Sequence, residues 1–479
     1  MSGDRWQSPL GQRYASPAMQ RLWGASHRTG LWRRLWLALA EAQGELGLAI
    51  PEAALTAMRE HLDDADLTQA AAYEKKFRHD VMAHVHAFGD QAPAARAFIH
   101  LGATSAFVTD NADLLVIREG LRIVLGRLLS LVEKLGLFAK RNAALPCLAY
   151  THFQPAQLTT VGKRATLWAQ DFALDIEALC HLIEGLRFHG CKGTTGTQAS
   201  FLDLFDGDHE KVRELDRLVT ERMGFSTAFA VSGQTYPRKT DSTVLDALSG
   251  IAQSAAKMAG DLRLLQHEGE LLEPFESDQI GSSAMAYKRN PMRSERISAL
   301  ARFVISLQAN GAQTAATQWL ERTLDDSANR RLSLPEAFLG VDAILILAEN
   351  IAGRLEVREG VIRRHVDEQM PFMATERWLM IGVKTGGDRQ ALHEVIRRHS
   401  MAAAEAASLG RPNDLLERLA AEPAFAAVPG ASLQAELDPQ RYTGRSSRQV
   451  SEFLDDYLAP LLARARPVAA APEPMELHV

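Results

Sequence analysis

The stretch LLVIREGLRIVLGRLLSLVEKLGLF, residues 114–138, decides the fold class through the spacing of its apolar side chains. These positions recur at alternating steps of three and four residues, at Leu114, Ile117, Leu121, Val124, Leu128, Leu131, Leu135 and Phe138. Such spacing places the side chains along one seam of an α-helix, as in helical bundles. The stretch therefore predicts a long bundle helix.

Two other segments carry helical signals. Within 242–265 the same spacing joins Leu245, Leu248, Ala252, Ala255, Met258, Leu262 and Leu265, with small residues that would let neighbouring helices approach closely. A further helix is predicted to begin at Ser333, because Ser333-Leu334-Pro335-Glu336 forms a capping box with a proline near the first helical position. Alternating strand patterns are nearly absent, and the predicted fold class is therefore all-α.

The chain length of 479 residues suggests about three domains. We predict an N-terminal helical domain over 1–104, a central long-helix domain over 105–357, and a C-terminal helical domain over 358–479. The last segment, RPVAAAPEPMELHV (466–479), is rich in proline and alanine and predicts a loose tail. The flanking segments are too short to cover the longest helices, so their apolar faces predict packing against other copies of the chain.

The composition argues against several classes of protein, namely nucleic-acid-binding, membrane-bound, zinc-binding and secreted proteins. A net charge of −6 argues against bulk attraction to nucleic acid or to an anionic membrane. Three cysteines without metal-type spacing predict neither a zinc site nor a disulfide framework, which fits a reducing compartment. The N-terminus lacks a signal-peptide pattern, and the apolar run 35–40 is too short to span a membrane. We therefore predict a cytoplasmic protein.

Three histidines stand close together in RHDVMAHVHAFG (78–89), and they allow three interpretations. A metal site is disfavoured, because His79 and His86 would share a helix face that His84 does not, and no HExxH or cysteine partner is present. The histidines could instead lie on an ordinary solvated helix face. The triplet at 78–80 could also bind an anion while orienting an imidazole.

Four further stretches offer hydroxyls, cations or a histidine. LGATS (101–105) could cap a helix or bind a carboxylate at the helix start. THFQPAQLTTVGKR (151–164) places His152 before Pro155, where a helix could begin, and this histidine could be structural or catalytic. GTTGTQAS (193–200) lacks the lysine of a phosphate loop. ERTLDDSANRR (321–331) could be a charged helix face with internal salt bridges or a phosphate clamp.

The co-occurrence of these stretches favours one interpretation. Several hydroxyl-and-cation sites and a histidine in a loop suit a substrate that carries carboxylates and phosphate. The sequence has no metal or cofactor signature, so we expect acid–base chemistry by side chains alone.

A glycine-led stretch, GSSAMAYKRNP (281–291), resembles the signature Gly-Ser-Ser-x-Met-Pro-x-Lys-x-Asn-Pro of the fumarase/aspartase superfamily. The ordered blocks quoted above, with KGTTGTQASF (192–201) and FMATE (372–376), are similar to the adenylosuccinate lyase family in the form found in animals. The resemblance runs from about Arg13 to about Leu458, which is nearly the whole chain.

The resemblance implies a fold and two reactions. The fold would be a three-domain helical homotetramer with a twenty-helix core, in which each active site draws on three subunits. The substrates would be adenylosuccinate, giving AMP and fumarate, and SAICAR, giving AICAR and fumarate. Both reactions are β-eliminations that break a C–N bond, with no cofactor and no metal.

The resemblance also implies roles for individual residues. Removing a proton next to a carboxylate needs a base, positive charge around that carboxylate, and an acid for the leaving nitrogen. Ser282 would be the base and His152 the acid, with Glu295 orienting His152 and His79 assisting the proton transfers. Lys288 and Asn290 would hold the substrate carboxylate. Further substrate contacts would come from Arg13, Tyr14, Arg78, Asp80, Thr104, Ser105, Gln234, Arg296, Arg322, Ser327 and Arg331.

One departure and three alternatives accompany the resemblance. Ala286 stands where the family has proline, which puts the rigidity of the 281–291 loop in question. Argininosuccinate lyase and fumarase share the signature, but their substrates carry no phosphate to match Arg322 and Arg331. A non-enzymatic helical oligomer would be expected to have lost the catalytic residues. A nucleic-acid binder would rest on one basic run, YKRNPMRSER (287–296), in an acidic chain.

Overall fold

The structure is a computed structural model that describes residues 6–276, 279, 284, 285 and 287–473. The N-terminal part starts with a π-helical turn at Leu10–Tyr14 and continues with short and medium helices. These are α1 (Pro17–Leu22), α2 (Ala25–Glu45), α3 (Glu52–Glu60), α4 (Leu67–Phe77), α5 (Asp80–Gln91) and a 3-10 turn at Pro93–Ala95.

The middle of the chain holds the longest helices. Its elements are α6 (Ser105–Arg141), β1 (Pro146–Thr151), β2 (Gln154–Thr160), α7 (Val161–Gly185), α8 (Ala199–Leu204), α9 (His209–Arg222), α10 (Lys239–His267), β3 (Leu271–Leu272), α11 (Met292–Thr317), α12 (Asp326–Arg354) and β4 (Glu356–Val357). The long helices α6, α7, α10, α11 and α12 pack against one another and form the central bundle.

The C-terminal part returns to shorter helices. They are α13 (Glu359–Met373), α14 (Thr375–Lys384), α15 (Arg389–Ser408), α16 (Leu415–Ala420), α17 (Gly430–Ala435), α18 (Ser446–Glu452) and α19 (Ala459–Ala465), with 3-10 turns at Pro423–Phe425 and Pro439–Tyr442 and a π-helical turn at Phe453–Leu458. A second hydrophobic core, which includes Trp378 and Phe425, lies within this part. The domain boundaries inferred from the sequence stay predictions.

The regularly spaced apolar residues that predicted the long helices are buried along one side of each helix. All eight seam positions of 114–138 expose at most 1% of their surface, and they lie on α6. The seam of 242–265 is buried along α10 in the same way. The all-α fold class is therefore confirmed. The described chain also contains two small antiparallel strand pairs, β1–β2 and β3–β4, which the sequence did not predict. Within the described residues, none of the helices has the length and apolar character that crossing a membrane requires.

The predicted helix start at Ser333 is wrong. Helix α12 already begins at Asp326 and carries Pro335 in its interior. The Asp326 carboxylate accepts a hydrogen bond at 2.6 Å from Arg238 and is buried, so a tertiary contact extends the helix backwards past the local capping signal. Ser333 does not cap a helix start, because its hydroxyl donates to the Asn329 carbonyl inside the helix.

The C-terminal tail is packed over its described part, 466–473, although its composition predicted a loose segment. The Ala470 N–H donates to the Arg122 carbonyl of α6 at 3.0 Å. Glu473 forms an ion pair with Arg21 of α1 at 2.7 Å. Alanine-rich sequence can lie close to a helix because its side chains are small, and this segment therefore runs as a strap from α19 over α6 to α1.

The strap makes a prediction about Gly126 on α6. A Cβ at this position would lie 2.0 Å from the Ala470 carbonyl oxygen, which no real contact tolerates. Replacing glycine by alanine inside a helix normally stabilises it by about 1 kcal/mol. We expect Gly126→Ala to destabilise the protein instead, by about 1–3 kcal/mol as for other overpacked sites, since the strap or the helix must move.

Thermal unfolding and limited proteolysis of the C-terminus measure this effect. Gly30→Ala is the matched control, because the nearest atom to its added Cβ, the Leu62 carbonyl oxygen, is 3.6 Å away. Gly126→Ala should unfold at a lower temperature and lose its C-terminus faster, whereas Gly30→Ala should do neither. Equal behaviour of the two variants would contradict a packed strap.

Candidate active site

A pocket of about 840 Å³ opens where α5, α6 and α12 begin. Among its lining residues are predicted site residues from separate stretches of the chain, namely Arg78, His79, Asp80, Thr104, Ser105, Gln234, Arg322, Ser327 and Arg331. The fold therefore gathers residues predicted for the carboxylate-bearing part of the substrate and residues predicted for its phosphate.

Helix N-termini give the pocket an anion-binding character. Asp80, Ser105 and Asp326 are the first residues of α5, α6 and α12, and all of them line the pocket. Thr104 is the N-cap of α6, but its side chain makes no capping hydrogen bond, so the hydroxyl can reach a ligand. The first N–H groups of a helix have no partner within the helix, and the helix dipole is positive at that end. Such termini bind carboxylates and phosphates.

His79 presents a hydrogen-bond donor to this pocket. It is the N-cap of α5, and its Nδ1 accepts a hydrogen bond from the Met82 N–H at 3.3 Å. The neutral imidazole therefore carries its proton on Nε2, which lies 3.4 Å from the Ser105 hydroxyl oxygen. An imidazole N–H and a hydroxyl thus stand side by side at the start of α6.

The other two histidines of the 78–89 stretch have different surroundings. The ring of His84 packs edge-on against Trp32 at 5.2 Å, and burial lowers its pKa. The ring of His86 lies 4.7 Å from that of Phe77. Helix α5 begins only after His79. The expectation that His79 and His86 share a helix face therefore does not apply, because His79 is not part of the helix. Within the described chain, no three side chains of the metal-ligating types come together, here or elsewhere.

Two buried arginines lie beneath the pocket and are already paired. Arg238 and Arg330 approach carboxylates from three helices at 2.6–3.0 Å, namely Asp110 and Asp113 of α6, Asp241 of α10 and Asp326 of α12. We call these six residues, with Tyr236, the buried ion network. Because carboxylates outnumber the arginines, Arg238 and Arg330 are not available to a substrate anion.

Tyr236 completes this network as a neutral donor. Its hydroxyl donates to Asp241 at 2.6 Å, and burial raises its pKa well above the usual range. Burial alone would raise the pKa of Asp110, but Arg238 and Arg330 outweigh it and hold that pKa below its usual value. The phenol therefore stays protonated and Asp110 stays ionised at neutral pH.

The arginines of the 321–331 stretch have separate tasks. The interpretation as a helix face with internal salt bridges is wrong, because Arg330 pairs with Asp241 of α10 and Arg331 lies 3.4 Å from Asp80 of α5. Arg322 has no carboxylate within ion-pair distance among the residues that the structure describes. Arg78 is likewise without a carboxylate partner in the described chain. These two cations line the pocket, and neither forms an ion pair with another described residue.

A second cluster holds the residues predicted for other nucleotide contacts. The guanidinium carbon of Arg296 lies 5.4 Å from the ring centre of Tyr14, and that of Arg13 lies 5.9 Å from the same ring. Tyr14 ends the first π-helical turn, and Arg296 is in the first turns of α11. The three residues lie together but do not line the pocket.

His152 lies elsewhere, at the tip of the β1–β2 hairpin. Thr151 pairs with Gln154, so His152 and Phe153 form a two-residue turn with φ of 52° and 58°. A type I′ turn requires positive φ at both central residues, which is uncommon for residues other than glycine. The turn leaves the histidine exposed at the apex, outside the lining of the pocket. Strained backbone of this kind often accompanies function.

The suggested helix start at Pro155 is wrong. Pro155 is part of β2, opposite Tyr150, and α7 begins later, after Thr160. The Thr160 hydroxyl accepts a hydrogen bond from the Lys163 N–H, which is the capping signal that decides the boundary.

The remaining predicted residues stand near the start of α11. Lys288 and Glu295 are exposed, and Asn290 is half-buried just before the helix. Ser282 lies outside the described residues, as does Ala286. The described part of one chain therefore holds the predicted site residues at separate places: the pocket, the Tyr14 cluster, the start of α11 and the hairpin tip.

Some lining residues had no signal in the sequence. Arg28 and Trp23 reach the pocket from the α1–α2 region, and Asp113 reaches it from α6. Nothing in the sequence around these residues distinguishes them from ordinary helix residues. Only the packing of α1 and α2 against α6 shows that they line the pocket.

Comparisons with known proteins identify the family of this chain. Residues 16–306 match a family model described as Lyase, and residues 371–453 match one described as Adenylosuccinate lyase C-terminus. An adenylosuccinate lyase from Saccharomyces cerevisiae is 49% identical over 94% of this chain and 94% of its own length. One from Schistosoma mansoni is 46% identical over 96% of both chains.

A solved structure shares the fold at much lower identity. The 3-carboxy-cis,cis-muconate lactonizing enzyme from Pseudomonas putida superposes with a TM-score of 0.81 at 23% identity, covering 96% of this chain and 99% of that one. Its similarity shows the helical fold alone. The two family models and the near full-length relatives together show that the chain belongs to the adenylosuccinate lyase family of lyases.

Proposed function

We propose that this chain converts adenylosuccinate to AMP and fumarate, and SAICAR to AICAR and fumarate, by β-elimination. The observation that carries the proposal is the pocket, which is lined by helix N-termini, by the donor of His79 and by two cations, Arg78 and Arg322, that pair with no carboxylate in the described chain. Both substrates carry carboxylates and a phosphate, and the pocket has groups for each.

The pocket supports a division of the substrate between its two sides. Thr104, Ser105 and Gln234 would take the succinyl carboxylates at the N-terminus of α6. Arg322, Ser327 and Arg331 would take the phosphate at the start of α12, because guanidinium groups match phosphate oxygens in pairs. Arg78 and Asp80 would line the succinyl side beside His79.

The chemical step needs residues from outside the pocket. Ser282 would remove the proton next to the carboxylate, and Lys288 with Asn290 would stabilise the dianionic intermediate. Serine normally ionises far above neutral pH, so its alkoxide depends on nearby cations. His152, oriented by Glu295, would protonate the leaving nitrogen. Arg13, Tyr14 and Arg296 would contact the nucleotide.

We further propose that the active site is completed by other copies of the chain in a homotetramer. The exposed position of His152, away from the pocket, supports this assembly. Large apolar side chains on the bundle helices also remain exposed in one chain, including Leu137 at 59%, Leu167 at 48%, Leu174 at 53% and Leu264 at 45%. Burial of such surface is a main driving force for association. A cytoplasmic location stays a prediction from the composition.

The first prediction concerns cofactors. Protein that has been treated with EDTA and desalted should convert adenylosuccinate at the untreated rate, because every proposed role belongs to a side chain. Ultraviolet absorbance follows the conversion. Loss of activity that returns on adding a divalent cation would contradict a reaction carried by side chains alone.

The second prediction concerns shared sites. His152→Ala and Ser282→Ala should each lose about two to four powers of ten in kcat, as expected for removal of a general acid or base. A mixture of the two variants that has exchanged subunits should regain part of the activity, because some sites then receive both intact residues. Exchange measured by mass spectrometry without any regain would exclude sites built from several chains.

The third prediction concerns the phosphate. Arg322→Met should raise KM for adenylosuccinate about ten- to a hundredfold, since a hydrogen bond to a charged group contributes about 1.5–3 kcal/mol. The same variant should act normally on the substrate analogue that lacks the phosphate. Arg213→Met, on the exposed face of α9, is the control and should change neither value. Equal losses with both substrates would assign Arg322 a different role.

A further inference from the structure

A buried carboxylate lies below the β1–β2 hairpin, outside the pocket. Glu270 follows α10 and exposes only 1% of its surface. Its Oε1 lies 3.0 Å from Nδ1 of His365 on α13, and its Oε2 lies 3.8 Å from a guanidinium nitrogen of Arg164 on α7. The backbone is also held, because the Arg358 N–H donates to the Glu270 carbonyl at 2.8 Å. None of these four residues was singled out for chemistry from the sequence.

Arg164 connects this carboxylate to the hairpin. The Arg164 guanidinium donates a hydrogen bond to the Leu148 carbonyl of β1. Helix α13 also packs directly on β1. The proximity of Glu270 has an electrostatic consequence: burial, and then the charges of Glu270 and Glu268, raise the pKa of Tyr150 to about 12. We call Glu270, Arg164 and His365 the hairpin anchor.

The hairpin needs such an anchor for physical reasons. Two strands alone are marginally stable in water, and this pair has a turn with two non-glycine residues at positive φ. The register also shifts between Leu148 and Tyr150, which places an extra residue on β2 and bends the hairpin. A cavity of about 570 Å³ beneath the hairpin, bordered by Arg164 and His365, leaves part of this side without close packing. Polar contacts at the base of the hairpin therefore add to the packing of α13 on β1 in setting its direction.

We infer that Glu270 is a positioning residue, which fixes the direction of the hairpin and so places His152 for proton transfer. The inference rests on the proposed acid role of His152. Glu270 touches no reacting atom, because it acts through Arg164 and the Leu148 carbonyl. Charge is needed for this, since a buried carboxylate holds a guanidinium and an imidazole N–H more tightly than a neutral amide would.

The test compares Glu270→Gln with a matched control in the full-length protein. Gln keeps the volume and one acceptor oxygen, but it removes the charge and replaces the second acceptor with a donor. The control is Glu422→Gln, because Glu422 also pairs with a histidine and an arginine, His399 at 2.7 Å and Arg398 at 3.0 Å, away from the hairpin. Two quantities are measured, the hydrogen exchange of amides in 147–160 and the steady-state constants for adenylosuccinate.

We expect Glu270→Gln to speed exchange of the hairpin amides about tenfold or more. Its kcat should fall about ten- to a hundredfold while KM stays within about threefold, because a displacement of about 1 Å costs chemistry more than binding. Glu422→Gln should change none of these quantities. Unchanged hairpin exchange in Glu270→Gln would overturn the anchor, and a looser hairpin with unchanged kcat would overturn its role in positioning.

A second pair of variants covers the case in which Glu270→Gln does not fold. His365→Asn retains a donor close to the place of Nδ1, whereas His365→Ala removes it. His365→Asn should recover most of the kcat that His365→Ala loses, and equal losses would count against the anchor. The acid role itself is read separately from His152→Ala with the anchor intact, so failure of the proposed function and failure of this inference give different results.

Discussion

The buried ion network beneath the pocket is the constraint on which the rest of the site depends. Arg238 and Arg330 cross-link α6, α10 and α12 through four carboxylates, and Tyr236 packs its ring 4.5 Å from the Arg238 guanidinium. Buried charges are costly unless they are paired, and removing one partner of such a pair costs about 3–5 kcal/mol. The network therefore allows only those helix positions in which every arginine meets its carboxylates. Those positions also bring the N-termini of α6 and α12 to one place.

The same network separates structural cations from the cations proposed to bind substrate, which pair with no carboxylate in the described chain. Its own arginines are fully engaged by aspartates, so the attraction for an anion comes from Arg78 and Arg322 and from the helix termini around them. Adjacent loops reinforce this arrangement through close backbone contact. A Cβ on Gly233 would lie 2.4 Å from the Glu321 carbonyl oxygen, and the Gln234 N–H donates to that same carbonyl at 3.0 Å. The groups proposed to bind the substrate thus stand on loops that are held together by direct backbone contact.

The groups proposed for the chemistry stand on a different kind of element. His152 lies on a strained, exposed hairpin, and Ser282 belongs to the segment that joins β3 to α11. A site divided in this way can hold an anionic substrate on a preformed surface while separate elements supply the acid and the base. The hairpin anchor around Glu270 fits this division, because it joins α7, the end of α10 and α13 to the strand that leads to His152.

The sequence by itself determined the long helices. Apolar residues spaced by three and four positions predict a helix with one buried side, whichever elements later pack against it. The sequence also determined the family, and with it the residues proposed for the site, because ordered motifs are local strings. The pocket then brought together His79, Ser105, Gln234 and Arg322 from distant stretches. Only the tertiary structure decided that α12 starts at Asp326, that Pro155 lies in a strand, that Arg330 is buried and that the strap packs on α6. Pro155 is paired locally with Tyr150, across a turn that lacks the usual glycine or asparagine signal. The other three depend on a partner remote in sequence, such as Arg238 for Asp326, and the local spacing of residues carries no information about such a pair.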